Sequence, residues 1–123
     1  MVSDRRKFMR FDVSLDVAFR ASKNAGDYVS GVTKNFSRSG LCFESPAVDL
    51  ALMSPIELEI KLPYNDTLIP VAGNVAWKEQ LEDNCLIGLE FTEINKEAKS
   101  QILDYAYDRW VERNRNLKSA AQG

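Results

Sequence analysis

The sequence predicts an all-β fold: a small six-stranded antiparallel β-barrel with one C-terminal α-helix left to cover a mouth or a flank, or to meet a partner. Three observations carry this. Apolar and polar residues alternate with a period of two over several short stretches. Turn-forming residues punctuate those stretches every several positions. From about Lys96 the apolar spacing changes to that of a helix. A chain of 123 residues has the size of one domain, and closing the sheet into a barrel removes its exposed edges.

The first strand is the clearest. Phe11, Val13, Leu15, Val17 and Phe19 point one way and Asp12, Ser14, Asp16 and Ala18 the other. A polar turn over residues 22–27 leads to a second strand from Tyr28 to Lys34, with Gly31 marking a bulge or bend. A short third strand runs from Leu41 to Glu44 and ends at Pro46. Ile56, Leu58, Ile60 and Leu62 alternate with Glu57, Glu59 and Lys61 in the fourth. Pro63 to Asp66 is a turn. The fifth strand spans Leu68 to Trp77, with Pro70 near its start and Gly73 inside. A polar connection over residues 79–84 leads to the sixth, in which Cys85, Ile87, Leu89 and Phe91 alternate around Gly88. The strands are expected in meander order. In the tail Ile102, Leu103, Ala106, Trp110 and Val111 fall at helical spacing, Asn95 reads as the N-cap, and Ser119 to Gly123 are expected to fray. The expected organisation is a flexible basic arm (1–10), a barrel (11–94) and a helix (95–118), together one domain.

Composition excludes several functions. The net charge is −2 and the pI about 5.2, so the chain has no global attraction for nucleic acid or anionic membranes. Any anion site must come from local clustering of arginines. The start is charged with no apolar run behind it, and no stretch is long and apolar enough to span a bilayer. The expectation is a cytoplasmic protein with no direct membrane insertion. Histidine is absent, which removes Ser-His-Asp and Cys-His nucleophile systems and histidine metal sites. No carboxylate pair sits in an apolar setting that would tune acid–base work. Cys42 and Cys85 match no metal or redox spacing and read as small buried residues. The chain is therefore expected not to be an enzyme and to hold no metal or cofactor.

Two polar segments remain: Arg5-Arg6-Lys7-Phe8-Met9-Arg10 before the first strand, and Asn35-Phe36-Ser37-Arg38-Ser39-Gly40 between the second and third. Alone, the first reads equally as a solvated basic tail and the second as a capped turn. In this order, each at a strand edge, they resemble the signature of the PilZ domain family, RxxxR followed by [D/N]xSxxG. Arg6 and Arg10 match the first motif; Asn35, Ser37 and Gly40 match the second. The segment from Gly73 to Trp77, the segment from Ile87 to Phe91 and the final helix also sit where that family has them.

The resemblance implies a PilZ-like barrel that binds cyclic di-GMP through Arg5, Arg6, Arg10, Asn35, Ser37 and Gly40, with Arg38, Trp77, Lys78 and Gly88 as further contacts. The chemistry fits those residue types. A guanidinium fork pairs bidentately with phosphate oxygens, meets guanine O6 and N7 and stacks on a purine. Asn35 offers a carbonyl and an amide to a guanine edge, Ser37 a small hydroxyl, and Gly40 a positive φ or close ligand approach. Asn35 departs from the commoner family aspartate, which accepts twice from that edge. Arg5 before the motif implies an intercalated nucleotide dimer, since an extra cation offsets four phosphate charges.

The expected function is a cyclic di-GMP receptor and adapter, monomer or weak homodimer. Nucleotide would change the surface it shows to an unidentified effector protein in motility, pili or exopolysaccharide production. The alternative is a degenerate PilZ domain acting as a nucleotide-independent interaction module. Trp110, Tyr105 and Tyr107 read as helix-packing residues, and any that face outward mark a partner surface. Single-stranded nucleic-acid binding needs a basic groove lined with aromatics, which the acidic pI disfavours.

Overall fold

The computed structural model describes residues 10–22, 26–63 and 68–122, with side chains as far as Arg115. Seven strands and one helix follow in order: β1 (Phe11–Asp12), β2 (Asp16–Ala21), β3 (Val29–Phe36), β4 (Gly40–Pro46), β5 (Pro55–Lys61), β6 (Leu68–Gln80), β7 (Asn84–Ile94) and α1 (Lys96–Gln122). β2, β3, β4, β7, β6 and β5 form a closed antiparallel barrel, and β1 adds to β3 beside β2.

The order around the barrel is not a meander. β5 pairs with β2, from Asp16↔Lys61 to Ala21↔Ile56, while β4 pairs with β7. The chain between Pro46 and Pro55 therefore crosses an end of the barrel, where Leu50 is buried. This crossing lets the long β6–β7 hairpin sit opposite β2, and it places β4 between the two hairpins.

The first predicted strand is interrupted at Val13–Leu15, yet its apolar face is continuous: Phe11, Val13, Leu15, Val17 and Phe19 are all buried. Asp12 pairs with Asn35 and Asp16 with Val32, so three residues face two and the strand bulges. Thr33, fully buried, holds the bulge. Its hydroxyl accepts from the Leu15 N–H at 2.8 Å and donates to the Val13 carbonyl, and its own N–H donates to the Leu15 carbonyl at 2.9 Å.

The interior is filled by Phe19, Phe36, Phe43, Leu15, Leu41, Ile56, Leu58, Ile60, Val75 and Ile87, all under 2% exposed. Burying a side chain of this kind contributes about 1.5–3 kcal/mol. Phe19 packs on Phe43 with ring centroids 4.8 Å apart. Asn95 caps α1 as expected, its Oδ1 accepting from the Ala98 N–H at 3.0 Å. Ile102 and Ala106 enter the core, so the first half of α1 covers the barrel. The helix continues to Gln122 rather than ending at Lys118, since the alanines after Lys118 favour helix and Gly123 is the first breaker. β6 and β7 also run further than their alternation indicates, meeting in a tight turn where the Leu81 N–H donates to the Asn84 carbonyl at 2.7 Å.

Candidate functional site

Arg10, the last residue of the first polar segment, meets the second segment on the outer face of the barrel. β1 pairs with the end of β3, setting Asp12 against Asn35 and Phe11 against Phe36. This puts Arg10 beside the bend that follows β3. Its Nη1 donates to Asn35 Oδ1 at 3.0 Å, across 25 positions of sequence. Arg10 is exposed and Asn35 half-buried. Arg5 and Arg6 lie outside the described residues.

Pairing carries the site across the sheet in one row. Asp12 faces Asn35, Asn35 faces Cys42, Cys42 faces Gly88 and Gly88 faces Trp77. Directly paired residues project from the same side, and Cys42 lies on the side of β4 opposite the core residues Leu41 and Phe43. Two bulges build this row. One lies between Thr33 and Asn35 on β3, the other between Val75 and Trp77 on β6. Each bulge shifts the alternation by one residue, turning Asn35 and Trp77 outward beside buried Phe36 and Val75.

Trp77 is 39% exposed and its indole lies over Gly88. A Cβ at position 88 would collide with the indole Nε1, so glycine there provides the seat for the ring. Lys78 does not join this face. It pairs with the core residue Ile87, and its Nζ donates to the Leu50 carbonyl at 2.8 Å. The bulge that turns Trp77 outward turns Lys78 the other way.

The bend itself is tight. The Ser37 N–H donates to the Gly40 carbonyl at 2.8 Å and the Ser37 hydroxyl to the same atom at 3.2 Å. Ser37 is 4% exposed, so in this structure its hydroxyl shapes the bend instead of facing outward. Gly40 has no positive φ. Its Cβ position is occupied by the Leu89 carbonyl, so glycine is required for the approach of β4 to β7 and not for the positive φ expected from the sequence. Arg38 is exposed at the tip, and the Ser39 carbonyl accepts from the Phe91 N–H at 2.9 Å.

Two further residues outside the motifs adjoin the site. Cys42 lies beneath it, 3% exposed. Burial pushes its thiol pKa above the ordinary value, while the Arg10 charge opposes that shift. Strand alternation around Leu41 and Phe43 was the signal for its outward position. Lys99 on α1 donates to the Arg38 carbonyl at 3.0 Å, a contact that no sequence spacing announces.

The arrangement presents a guanidinium, a carboxamide, a side-chain-free floor at Gly88 and an exposed indole along one surface. It can pair with a phosphate, bond a heterocycle edge and stack against a ring. No helix among the described residues is long and apolar enough to cross a membrane.

The family model of the PilZ domain matches residues 4–108. No curated protein sequence matches the chain. Among solved structures, the chain is similar to the Bacillus subtilis inhibitor of motility (MotI/DgrA), with a TM-score of 0.70 and 19% identity over 84% of this chain and 50% of that one. It thus spans half the length of that protein. It is also similar to the PilZ domain of YcgR from Escherichia coli, solved with c-di-GMP, with a TM-score of 0.64 and 9% identity over 91% of this chain and 95% of that one. The PilZ domain of CeSA from a cellulose-synthesizing bacterium follows at 0.54 and 15% identity, over 81% and 96% of the two chains. At such identities the likeness is one of fold, while the family match covers most of the sequence and includes both motifs: the chain belongs to the PilZ domain family.

Proposed function

We propose that this chain is a cyclic di-GMP receptor that acts as an adapter and performs no chemistry itself. The observation that supports this most is the Arg10–Asn35 hydrogen bond. It joins the end of RxxxR to the start of NxSxxG in a single exposed patch. In the proposed complex Arg10 turns a fork toward a phosphate, Arg6 and Arg5 close from the leading segment, and Asn35 bonds a guanine edge. Trp77 and the floor at Gly88 lie along the same row, where a ring would stack. Arg38 adds a cation at the tip of the bend. With Arg5 present, the ligand is a stacked pair of nucleotides. Closing the leading segment costs conformational entropy that the charge-assisted bonds must exceed. The changed surface is then offered to an effector protein in motility, pili or exopolysaccharide production.

Calorimetric titration with cyclic di-GMP tests this. The expected result is saturable heat at about two nucleotides per chain, in a low-micromolar or tighter range. Absence of heat up to high micromolar would favour a nucleotide-independent interaction module.

A further inference from the structure

Helix α1 touches the bend and the residue that follows Arg10. Near its start, Lys99 binds the Arg38 carbonyl in the bend. Two turns further on it meets Phe11, the residue after Arg10. The Phe11 ring lies edge-on to Tyr107, with centroids 6.1 Å apart at 86°, and to Trp110, at 6.4 Å and 71°. Tyr107 and Trp110 are themselves 5.9 Å apart. Phe11 is 2% exposed, whereas Tyr107 and Trp110 are 39% and 38% exposed. β1 is the principal strand contact of the helix. It is also only two residues long and, among the described residues, pairs with β3 alone, so few ladder bonds hold it.

We infer that α1 is the output element of this protein and that Phe11 is the joint carrying the state of the nucleotide site to it. The inference rests on the receptor reading above. Arg10 in the free protein is bound to Asn35, and a phosphate that draws its guanidinium away acts on the residue next to Phe11. The ring cannot follow without changing its packing on Tyr107 and Trp110. Ile102 and Ala106 anchor the first half of the helix in the core. The change is therefore felt from Tyr107 onward, where Trp110, Val111, Asn114 and Arg115 line an open recess. The second tie, through Lys99, makes the helix sensitive to the bend as well. A ligand biases two states only through contacts that differ between them. Here the differing contact is that of the phosphate with Arg10, which Asn35 holds in the free protein, and the aromatic cluster relays it.

The chain has two tryptophans, Trp77 in the site row and Trp110 in the cluster. Incorporation of 5-fluorotryptophan gives one fluorine resonance for each, assigned with Trp110→Phe. During a cyclic di-GMP titration the Trp110 resonance should move with the same midpoint as the calorimetric heat. In Phe11→Leu, which keeps an apolar side chain in the core, binding heat should persist and most of the Trp110 shift should be lost. Tyr107→Leu, on the exposed side of the contact, should behave likewise. A stationary Trp110 at saturating heat, or a full shift in both variants, would overturn the coupling and leave the receptor reading intact. No heat in the wild type would instead overturn the receptor reading, and the coupling with it.

Discussion

At the scale of single residues, the account rests on what Arg10 and Asn35 do when nucleotide arrives. Each arginine of the motif is expected to make a charge-assisted bond. Arg6→Ala and Arg10→Ala should therefore each weaken binding by roughly 1.5–3 kcal/mol with the fold intact, read by calorimetry alongside a thermal melt. Near wild-type affinity in both would place the site elsewhere. Asn35→Asp should preserve or tighten binding, since a carboxylate accepts twice from the guanine edge; a large loss would overturn that assignment. That Arg10 would lie beside the Asn35–Gly40 bend was legible in the motif order, but not the tasks of the bend's own residues. Ser37 and Gly40 shape the bend through contacts with the Gly40 and Leu89 carbonyls. Such duties depend on which strand lies alongside, and a linear pattern does not show that. Lys78 illustrates the same limit. Its face is set by the bulge after Val75, an irregularity that period-two reading passes over.

Among the elements, alternation and turn residues located the barrel strands, most clearly those such as β5 that have one face in the core and one toward solvent. β4, buried along most of its length, was bounded by the polar bend before it and Pro46 after it. Alternation missed the break between β1 and β2, since the inward series from Phe11 to Phe19 continues through the bulge. The break is held by Thr33, a polar residue under no exposure that satisfies backbone groups of Val13 and Leu15. Thr33→Val keeps the shape and removes those partners, leaving the Leu15 N–H buried. It should cost about 1–3 kcal/mol of stability, measured by urea unfolding. It should also loosen β1 and so weaken nucleotide binding. A stability change near zero would mean that the threonine is dispensable to the bulge. The meander order failed for a different reason. The segment from residue 47 to 54 carries no periodicity, and its crossing of the barrel end follows from β2 pairing with β5, a long-range choice.

For the molecule as a whole, a net charge of −2 coexists with a face that carries Arg10 and Arg38, with Lys99 bound at the Arg38 carbonyl. Bulk charge thus argues against a long polyanion as a partner without bearing on a small anion. Cys42 gives this face a pH signature. Its pKa is raised by burial, so between the ordinary thiol pKa and the folded value the unfolded chain has released a proton that the folded chain retains. Stability from this group is complete below the ordinary thiol pKa and falls as pH rises beyond it. Urea midpoints should decline more steeply on the alkaline side in wild type than in Cys42→Ala, and the thiol should resist alkylation at neutral pH. Equal slopes would show that the thiol is not held in its protonated form.

The central claim is that the end of the leading segment and the bend after β3 form one nucleotide site on the outer barrel face. A nitrogen–proton correlation titration with cyclic di-GMP tests it most directly. The Asn35 carboxamide, the Gly40 and Gly88 amides and the Trp77 indole N–H should move together with a single midpoint. The account is contradicted if binding saturates while those signals stay fixed and the shifts gather instead in the open groove of about 650 Å³ lined by Asp16, Gly31, Lys34, Glu44 and Pro46.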